Sequence, residues 1–185
     1  MGVHYETRHL FMAVAIAILF LSPVLLLLLP SFVANSLHNT DGSWFVFVPG
    51  GSYAVYGVGA LFLIFAALLP FLLRIKKSSL LLAFICAILS VICFHIASQA
   101  YTSISDQSIS YRYLFTSEEH QYSWDEIDRV VYNRIPKEEG FSDYEFYFSD
   151  GAKLQLKENG QLAELKSTIY KRLRKEEIRV EEVNH

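Results

Sequence analysis

The chain has 185 residues, of which 52% are hydrophobic and only 19% are charged, and its mean hydropathy is +0.28. This composition is too apolar for an ordinary soluble domain, so an integral membrane protein is the first class to consider. Residues 1–100 contain four Lys or Arg and two Asp or Glu, whereas residues 101–185 contain 12 Lys or Arg and 17 Asp or Glu. We therefore predict a membrane region over 1–100 and an acidic soluble domain over 101–185. A domain of that size excludes a TIM barrel or a dinucleotide-binding fold.

Three apolar stretches, near residues 10–29, 54–73 and 80–99, contain no Asp, Glu, Lys or Arg. Each has the roughly 20 residues that a helix needs to cross a hydrocarbon core about 30 Å thick. The first stretch exceeds the apolar part of a signal peptide, which has roughly 7–15 residues, and no A-x-A cleavage site follows it. We therefore predict three transmembrane helices, including a retained first span.

The distribution of bases predicts how these spans are oriented. Arg74, Lys76 and Lys77 lie in the short connection between the second and third spans, and short loops rich in Lys and Arg stay in the cytoplasm. The loop from Ser31 to Tyr53 has no Lys or Arg and carries an acidic residue. We therefore predict a multi-pass plasma-membrane protein with a cytoplasmic N-terminus and an extracytoplasmic C-terminal domain.

Two features of the membrane region are candidates for function. His95 is the only histidine within the predicted spans, and an ionisable group inside a membrane is a functional candidate by default. The alternative is an interfacial anchor, because His95 lies near the outer end of the third predicted span. The loop after the first span contains an aromatic run, in which Trp44, Phe45 and Phe47 are candidate partner contacts. The alternative is that these aromatic side chains belong to the interfacial belt of the membrane.

From Tyr101 onward, alternating apolar residues predict strands. The first predicted strand runs through Ile109 to Phe115, the second through His120 to Trp124, and a third through Arg129 to Asn133. The spacing of Ser123 and Glu126 is that of a capping box and predicts a single helical turn between the second and third of these strands.

The end of the chain predicts a hairpin and a helix. Alternating residues from Tyr144 to Phe148 and from Leu154 to Leu156 flank an Asp-Gly turn. Leucine and isoleucine then recur with helical spacing from Asn159 to Lys175. The fold class is therefore α+β, and we predict a bent antiparallel sheet closed by a C-terminal amphipathic helix.

Three segments of this domain carry a resemblance to a known family. They are Ile109-Ser-Tyr-Arg-Tyr-Leu-Phe, Tyr122-Ser-Trp-Asp-Glu-Ile-Asp-Arg-Val, and Phe148-Ser-Asp-Gly before a terminal helix. Over roughly residues 105–175 the chain resembles the bacterial pleckstrin-homology-like (PH-like) domains that are attached to membrane spans in Gram-positive bacteria. The resemblance implies a bent sheet closed by a helix, and it suggests roles in self-immunity to secreted peptides or in envelope stress. No binding residue carries over, and many such proteins place the domain in the cytoplasm after two spans.

The soluble domain has no sequence signature of an enzyme. Ser108, His120 and Asp125 could compose a catalytic triad, but no G-x-S-x-G elbow surrounds a serine. His120 and His185 lack the spaced partners of a metal site, so we predict no cofactor and no metal. The net negative charge argues against nucleic-acid binding.

One basic cluster is a candidate for contact with the membrane surface. It consists of Lys171, Arg172, Arg174 and Lys175. The alternative is an ordinary solvated helix end, since acidic residues follow the cluster directly.

The sequence thus favours a non-enzymatic binding or regulatory module anchored in the membrane, with the lipid bilayer and an envelope protein or peptide as partners. The alternative is a small transporter or channel subunit. Coupled transport usually requires charged residues inside the membrane, and His95 alone could serve that need. A membrane-bound hydrolase is disfavoured by the missing catalytic motif, and the oligomeric state stays open.

Overall fold

The computed structural model describes residues 7–40, 42–136, 138 and 140–184. Asp41, in the loop after the first predicted span, and His185 lie outside these residues. The described part contains four α-helices, which are α1 (Thr7–His38), α2 (Gly50–Leu72), α3 (Lys77–Gln99) and α4 (Gly160–Lys175). Its eight strands are β1 (Ser43–Phe47), β2 (Tyr101–Ser105), β3 (Ser108–Arg112), β4 (His120–Ser123), β5 (Ile127–Arg134), β6 (Asp143–Phe148), β7 (Lys153–Lys157) and β8 (Val180–Asn184).

The first three helices are long and apolar enough to cross a membrane, and each overlaps one of the three predicted apolar stretches. The first helix is longer than predicted, because it continues through Pro30 to His38. Polar side chains near its end bond back to its own carbonyls, as when Asn35 Nδ2 donates to the Ser31 carbonyl at 2.8 Å. The predicted loop between the first two spans is therefore mostly helix and strand.

Helices α2 and α3 approach each other closely at Gly59. A Cβ atom at this position would lie 2.8 Å from a ring carbon of Phe94. The Ser90 hydroxyl donates to the Gly59 carbonyl at 2.8 Å, so a small residue and a buried hydrogen bond join the two helices.

The strands form two four-stranded sheets, with strand orders β1-β2-β3-β4 and β7-β6-β5-β8. Strand β6 pairs antiparallel with both β5 and β7, but β8 pairs parallel with β5, from Val130 with Val180 to Arg134 with Asn184. The prediction of one antiparallel sheet is therefore wrong. The hairpin of β6 and β7 together with α4 lies between β5 and β8 in the chain and provides the long connection that this parallel strand pair requires.

Local predictions in the C-terminal part are largely confirmed. The capping box at Ser123 and Glu126 begins a single 3-10 turn at Trp124, and Gly151 has a φ of +85° in the hairpin turn. Asn159 caps α4 by accepting a hydrogen bond from the Leu162 amide at 2.9 Å. The strand predicted to reach Phe115 instead ends at Arg112. Phe115 itself has a left-handed φ of +67°, which is incompatible with an extended strand.

The chain divides into two compact units. The helical unit comprises the described residues of Met1–Asp41, Phe45–Ser103 and Tyr111–Glu119, and the strand-rich unit comprises those of Gly42–Trp44, Ile104–Ser110 and His120–His185. The core of the strand-rich unit contains fully buried residues of β6 and α4 together with Trp124. They include Phe146, Phe148, Leu162, Ile169 and Leu173.

Candidate functional site

The strand-rich unit contains an open cleft of about 860 Å³, which we call the α4 cleft. Its described lining comes from the end of β5, the following loop and the first turn of α4, and includes Tyr132, Arg134, Phe141, Ser142 and Asn159. The loop begins where Pro136 removes a backbone donor, so the extended strand cannot continue its ladder there. The α4 cleft therefore forms where the chain leaves one strand and later enters a helix.

Hydrogen bonds pin the two sides of the α4 cleft. The Ile135 amide donates to the Ser142 hydroxyl at 3.1 Å, and the Glu158 amide donates to the Ser142 carbonyl at 2.7 Å. With the Asn159 cap, these bonds fix the loop beside the start of α4. The cleft is thus a preformed feature of a hydrogen-bonded frame.

Glu158, in the lining of the α4 cleft, is paired with Lys166 of α4. The Tyr132 hydroxyl donates to Glu158 Oε2 at 2.5 Å, and Lys166 Nζ lies 3.4 Å from Glu158 Oε1 and 4.5 Å from the centre of the Tyr132 ring. Burial lowers the pKa of Lys166 and the Glu158 carboxylate raises it, with a net rise. Lys166 therefore keeps its charge near neutral pH and balances Glu158.

The exposed large hydrophobic residue in the lining of the cleft is Phe141, which is 67% exposed. Among the described residues of the strand-rich unit, only Phe141 and Val183 are large hydrophobic residues with exposed side chains. Arg134 is also exposed at the cleft. An aromatic anchor beside a guanidinium suits a ligand that offers an apolar and an acidic group.

The helical unit contains a polar network around Arg112, which we call the Arg112 cluster. Arg112 donates to Gln99 Oε1 and to Glu119 Oε2, each at 2.6 Å, and the Tyr101 hydroxyl donates to Glu119 Oε1 at 2.5 Å. The His38 ring stacks on Tyr101 with centres 3.8 Å apart. The cluster thus joins the ends of α1 and α3 to β2 and β3.

The charges of the Arg112 cluster affect each other. The hydrogen bond from Tyr101, and then those from Arg112, hold the pKa of Glu119 below its usual range. Burial, followed by the nearby Glu119 carboxylate, raises the pKa of Tyr101. The cluster therefore contains an ionised carboxylate and a protonated phenol at neutral pH, an arrangement suited to structural support.

The structure places the predicted aromatic contacts in β1. Trp44 Nε1 donates to Asp106 Oδ1 at 2.8 Å, and the rings of Phe45 and Phe47 have centres 4.8 Å apart. Phe47 is only 9% exposed, whereas Trp44 and Phe45 are half-buried. The partner-contact hypothesis for this run stays a prediction, with most of the available surface on Trp44 and Phe45.

The remaining candidates are found at separate places. His95 is exposed on α3 in the helical unit. On α4, Arg172 is half-buried and lies 3.1 Å from Glu176, whereas the other three bases of the predicted cluster are exposed. Within the described residues, no group of three or more His, Cys, Asp or Glu side chains could hold a metal ion.

The α4 cleft and the Arg112 cluster were missed by sequence reasoning. The hydrogen-bonded partners in the cluster are seven to 18 positions apart, and no motif links them. An isolated Phe141 after a glycine in a charged loop was the only local signal for the cleft.

No protein-family model matches this chain, and no characterised protein matches its sequence. The class that the structure supports is a chain with three helices able to cross a membrane and a strand-rich unit. Any more specific function must be argued from the sites themselves.

Proposed function

We propose that this protein is a non-enzymatic binding module anchored in the bacterial plasma membrane, and that its strand-rich unit binds an envelope protein or peptide at the α4 cleft. The observation that carries this proposal is the exposed Phe141 in a preformed cleft of about 860 Å³. A large exposed aromatic side chain is costly in water and is a common anchor in protein interfaces. A role in peptide immunity or envelope stress is the more specific form of the same proposal.

The proposal includes a PH-like arrangement of the strands and α4. It is supported by the amphipathic α4, which follows the last hairpin and buries Leu162, Ile169 and Leu173. Contacts between α4 and its sheet also support it, as between the Tyr144 and Tyr170 rings, whose centres lie 6.4 Å apart. The parallel strand β8 is a departure from the bent antiparallel sheet that the resemblance implies.

We also propose that the strand-rich unit lies outside the cytoplasm. The His38 ring nitrogen Nε2 lies 2.9 Å from the Ser98 carbonyl oxygen, so the chain leaves α1 and α3 at the same end of the helices. The connection with Arg74, Lys76 and Lys77 joins α2 to α3 at their other ends. Because basic connections stay in the cytoplasm, this supports an extracytoplasmic binding partner.

The test replaces Phe141 with a photoreactive phenylalanine in the full-length protein in bacterial cells. Illumination should produce a discrete adduct with one envelope protein or peptide. The matched control carries the same group at Ser149, an exposed position in the hairpin turn, and should not produce that adduct. An unlabelled Phe141→Ala protein should lose co-purification with the partner found in this way. The proposal is wrong if position 141 yields no adduct beyond those of position 149.

The transporter alternative is tested at His95. If the helices only anchor the binding module, His95→Phe should leave the amount of protein in the membrane unchanged and retain the Phe141 adduct, since an aromatic ring also suits the interface. A pH-dependent ion flux in liposomes that His95→Phe abolishes would instead support transport.

A further inference from the structure

The loop between β3 and β4 exposes aromatic side chains in the helical unit. We call residues 113–117 the 113–117 loop. Phe115 is 75% exposed and Tyr113 is 46% exposed. Phe115 also has a φ of +67°, a left-handed conformation that is unfavourable for a bulky residue. The loop thus presents an apolar ring at its tip although both its exposure to water and its left-handed backbone are unfavourable. Such a combination is typical of a functional contact.

The 113–117 loop is held beside the ends of two candidate spans. Arg112, which directly precedes it, donates to Gln99 Oε1 at 2.6 Å, and Gln99 is the last residue of α3. A Cβ atom at Gly51 would lie 3.4 Å from Leu114 Cδ2, and Gly51 is in the first turn of α2. The loop therefore lies where α2 begins and α3 ends.

A cavity lined by both the loop and α3 places the tip near the end of that helix. Phe115, Thr116 and Ser117 line a cavity of about 430 Å³ together with His95 and Ile96 of the last turn of α3. The rise of a helix is about 1.5 Å per residue, so Ile96 lies about 4.5 Å before the end of α3. A bilayer that covers this apolar helix has its boundary between headgroups and acyl chains near this level.

The loop is built to keep this position. The Thr116 hydroxyl donates to the Tyr113 carbonyl at 2.9 Å, and Glu119 at the far end of the connection binds Arg112 at 2.6 Å. These bonds satisfy polar groups within the turn and leave the Phe115 ring projecting. Aromatic side chains are favoured at the membrane boundary, and an inserted apolar group gains free energy from burial in the acyl region.

We propose that the 113–117 loop is a membrane-inserted element. Phe115 enters the boundary between headgroups and acyl chains beside α3, and Tyr113 lies at the level of the headgroups. The occupant of this surface is phospholipid of the same bilayer that surrounds the spans, because such lipid is present at this depth around any protein crossing the membrane through α2 and α3. The loop would thus supplement the spans as an anchor.

The experiment measures depth in the full-length protein. Phe115→Cys is made in a background where Cys86 and Cys93 are alanine, labelled with a nitroxide, and reconstituted into vesicles of phosphatidylglycerol and phosphatidylethanolamine. At position 115 we expect greater accessibility to oxygen, which concentrates in lipid, than to a water-soluble nickel chelate. Phe141→Cys, which replaces a similarly exposed phenylalanine of the strand-rich unit, is the matched control and should show the opposite preference.

A second measurement keeps the native residue at 115 and places the label at Ser117. Phe115→Gly should shift this label towards water, whereas Phe115→Leu should leave its depth unchanged. Glycine accepts a φ of +67° without strain, so loss of folding does not explain such a shift. The proposal is overturned if the label at 115 is as accessible to nickel as that at 141. It is equally overturned if the label at 115 is shielded from both reagents, as contact with a protein partner or a second copy would produce. It is also overturned if Phe115→Gly leaves the depth of the label at Ser117 unchanged.

Discussion

Replacement of Trp124 by alanine should remove much of the stability of the strand-rich unit. Trp124 is fully buried, and its indole N–H donates to the Ser105 carbonyl at 3.1 Å. Its ring centre lies 5.7 Å from that of Trp44. The residue therefore combines a large buried aromatic surface, a neighbouring ring and a buried hydrogen bond.

The expected magnitude follows from these contacts. Truncation of a buried Phe or Trp to alanine costs about 3–5 kcal/mol. The buried Ser105 carbonyl would also lose its indole partner, and an unsatisfied buried group costs about 1–3 kcal/mol. We therefore expect a loss of about 5 kcal/mol for Trp124→Ala. Trp124→Phe, which keeps a ring but loses the N–H, should lose about 1–3 kcal/mol.

The assay is pulse proteolysis of the full-length protein in nanodiscs along a urea series, because Trp124→Ala would remove one of the two tryptophans on which a fluorescence assay depends. If unfolding has an m value of about 1.5 kcal/mol per molar, Trp124→Ala should lower the midpoint by about 3 M urea. Phe141→Ala is the control and should change stability by less than about 0.5 kcal/mol, since its side chain is largely exposed. A loss below about 1 kcal/mol for Trp124→Ala would refute the argument that this ring is a core residue.

Three further predictions concern the helical unit and the orientation of the chain. Gly59→Ala should destabilise the protein in micelles by about 1–3 kcal/mol, because its methyl group would lie 2.8 Å from a ring of α3, whereas Gly57→Ala meets no atom within 4 Å and should not. Glu119→Gln should lower the melting temperature at neutral pH. Folding lowers the pKa of Glu119, so the ionised carboxylate contributes to the stability of the fold above the unfolded pKa of about 4.3. This stabilisation is lost as the pH falls through the lowered pKa, and the melting temperatures of the two proteins should therefore converge in acid. Single cysteines at Asn39 and Ser142, without the native cysteines, should both react with an impermeant thiol reagent on intact cells, and labelling at 39 alone would contradict the extracytoplasmic orientation.

Some of the fold was predictable because its signals are local. Three long apolar helices follow from composition, since a helix satisfies its backbone hydrogen bonds within itself. The hairpin of β6 and β7 was equally readable, because an Asp-Gly turn sets the pairing of adjacent strands. The Ser123 capping box and the Asn159 cap likewise depend on residues only three positions apart.

Other elements exist only through distant partners. Strand β1 was predicted as a loop, yet it is the edge strand of the first sheet next to β2. Strand β8 is short and follows a charged helix end, and its parallel pairing with β5 joins residues about 50 positions apart, as Val130 with Val180. A strand needs another strand for its hydrogen bonds, so its own residues do not determine whether it forms.

The sites show the same division between local pattern and tertiary structure. The sequence by itself determined which residues are apolar, where the bases lie and which short segments turn, because these properties belong to single residues or to neighbours. Only the tertiary structure placed Phe141 beside the start of α4, joined Arg112 to Gln99 and Glu119, and ended β3 before the exposed Phe115. Each of these arrangements depends on distances between segments that are separate in the chain, and alternation or spacing within one segment contains no information about them.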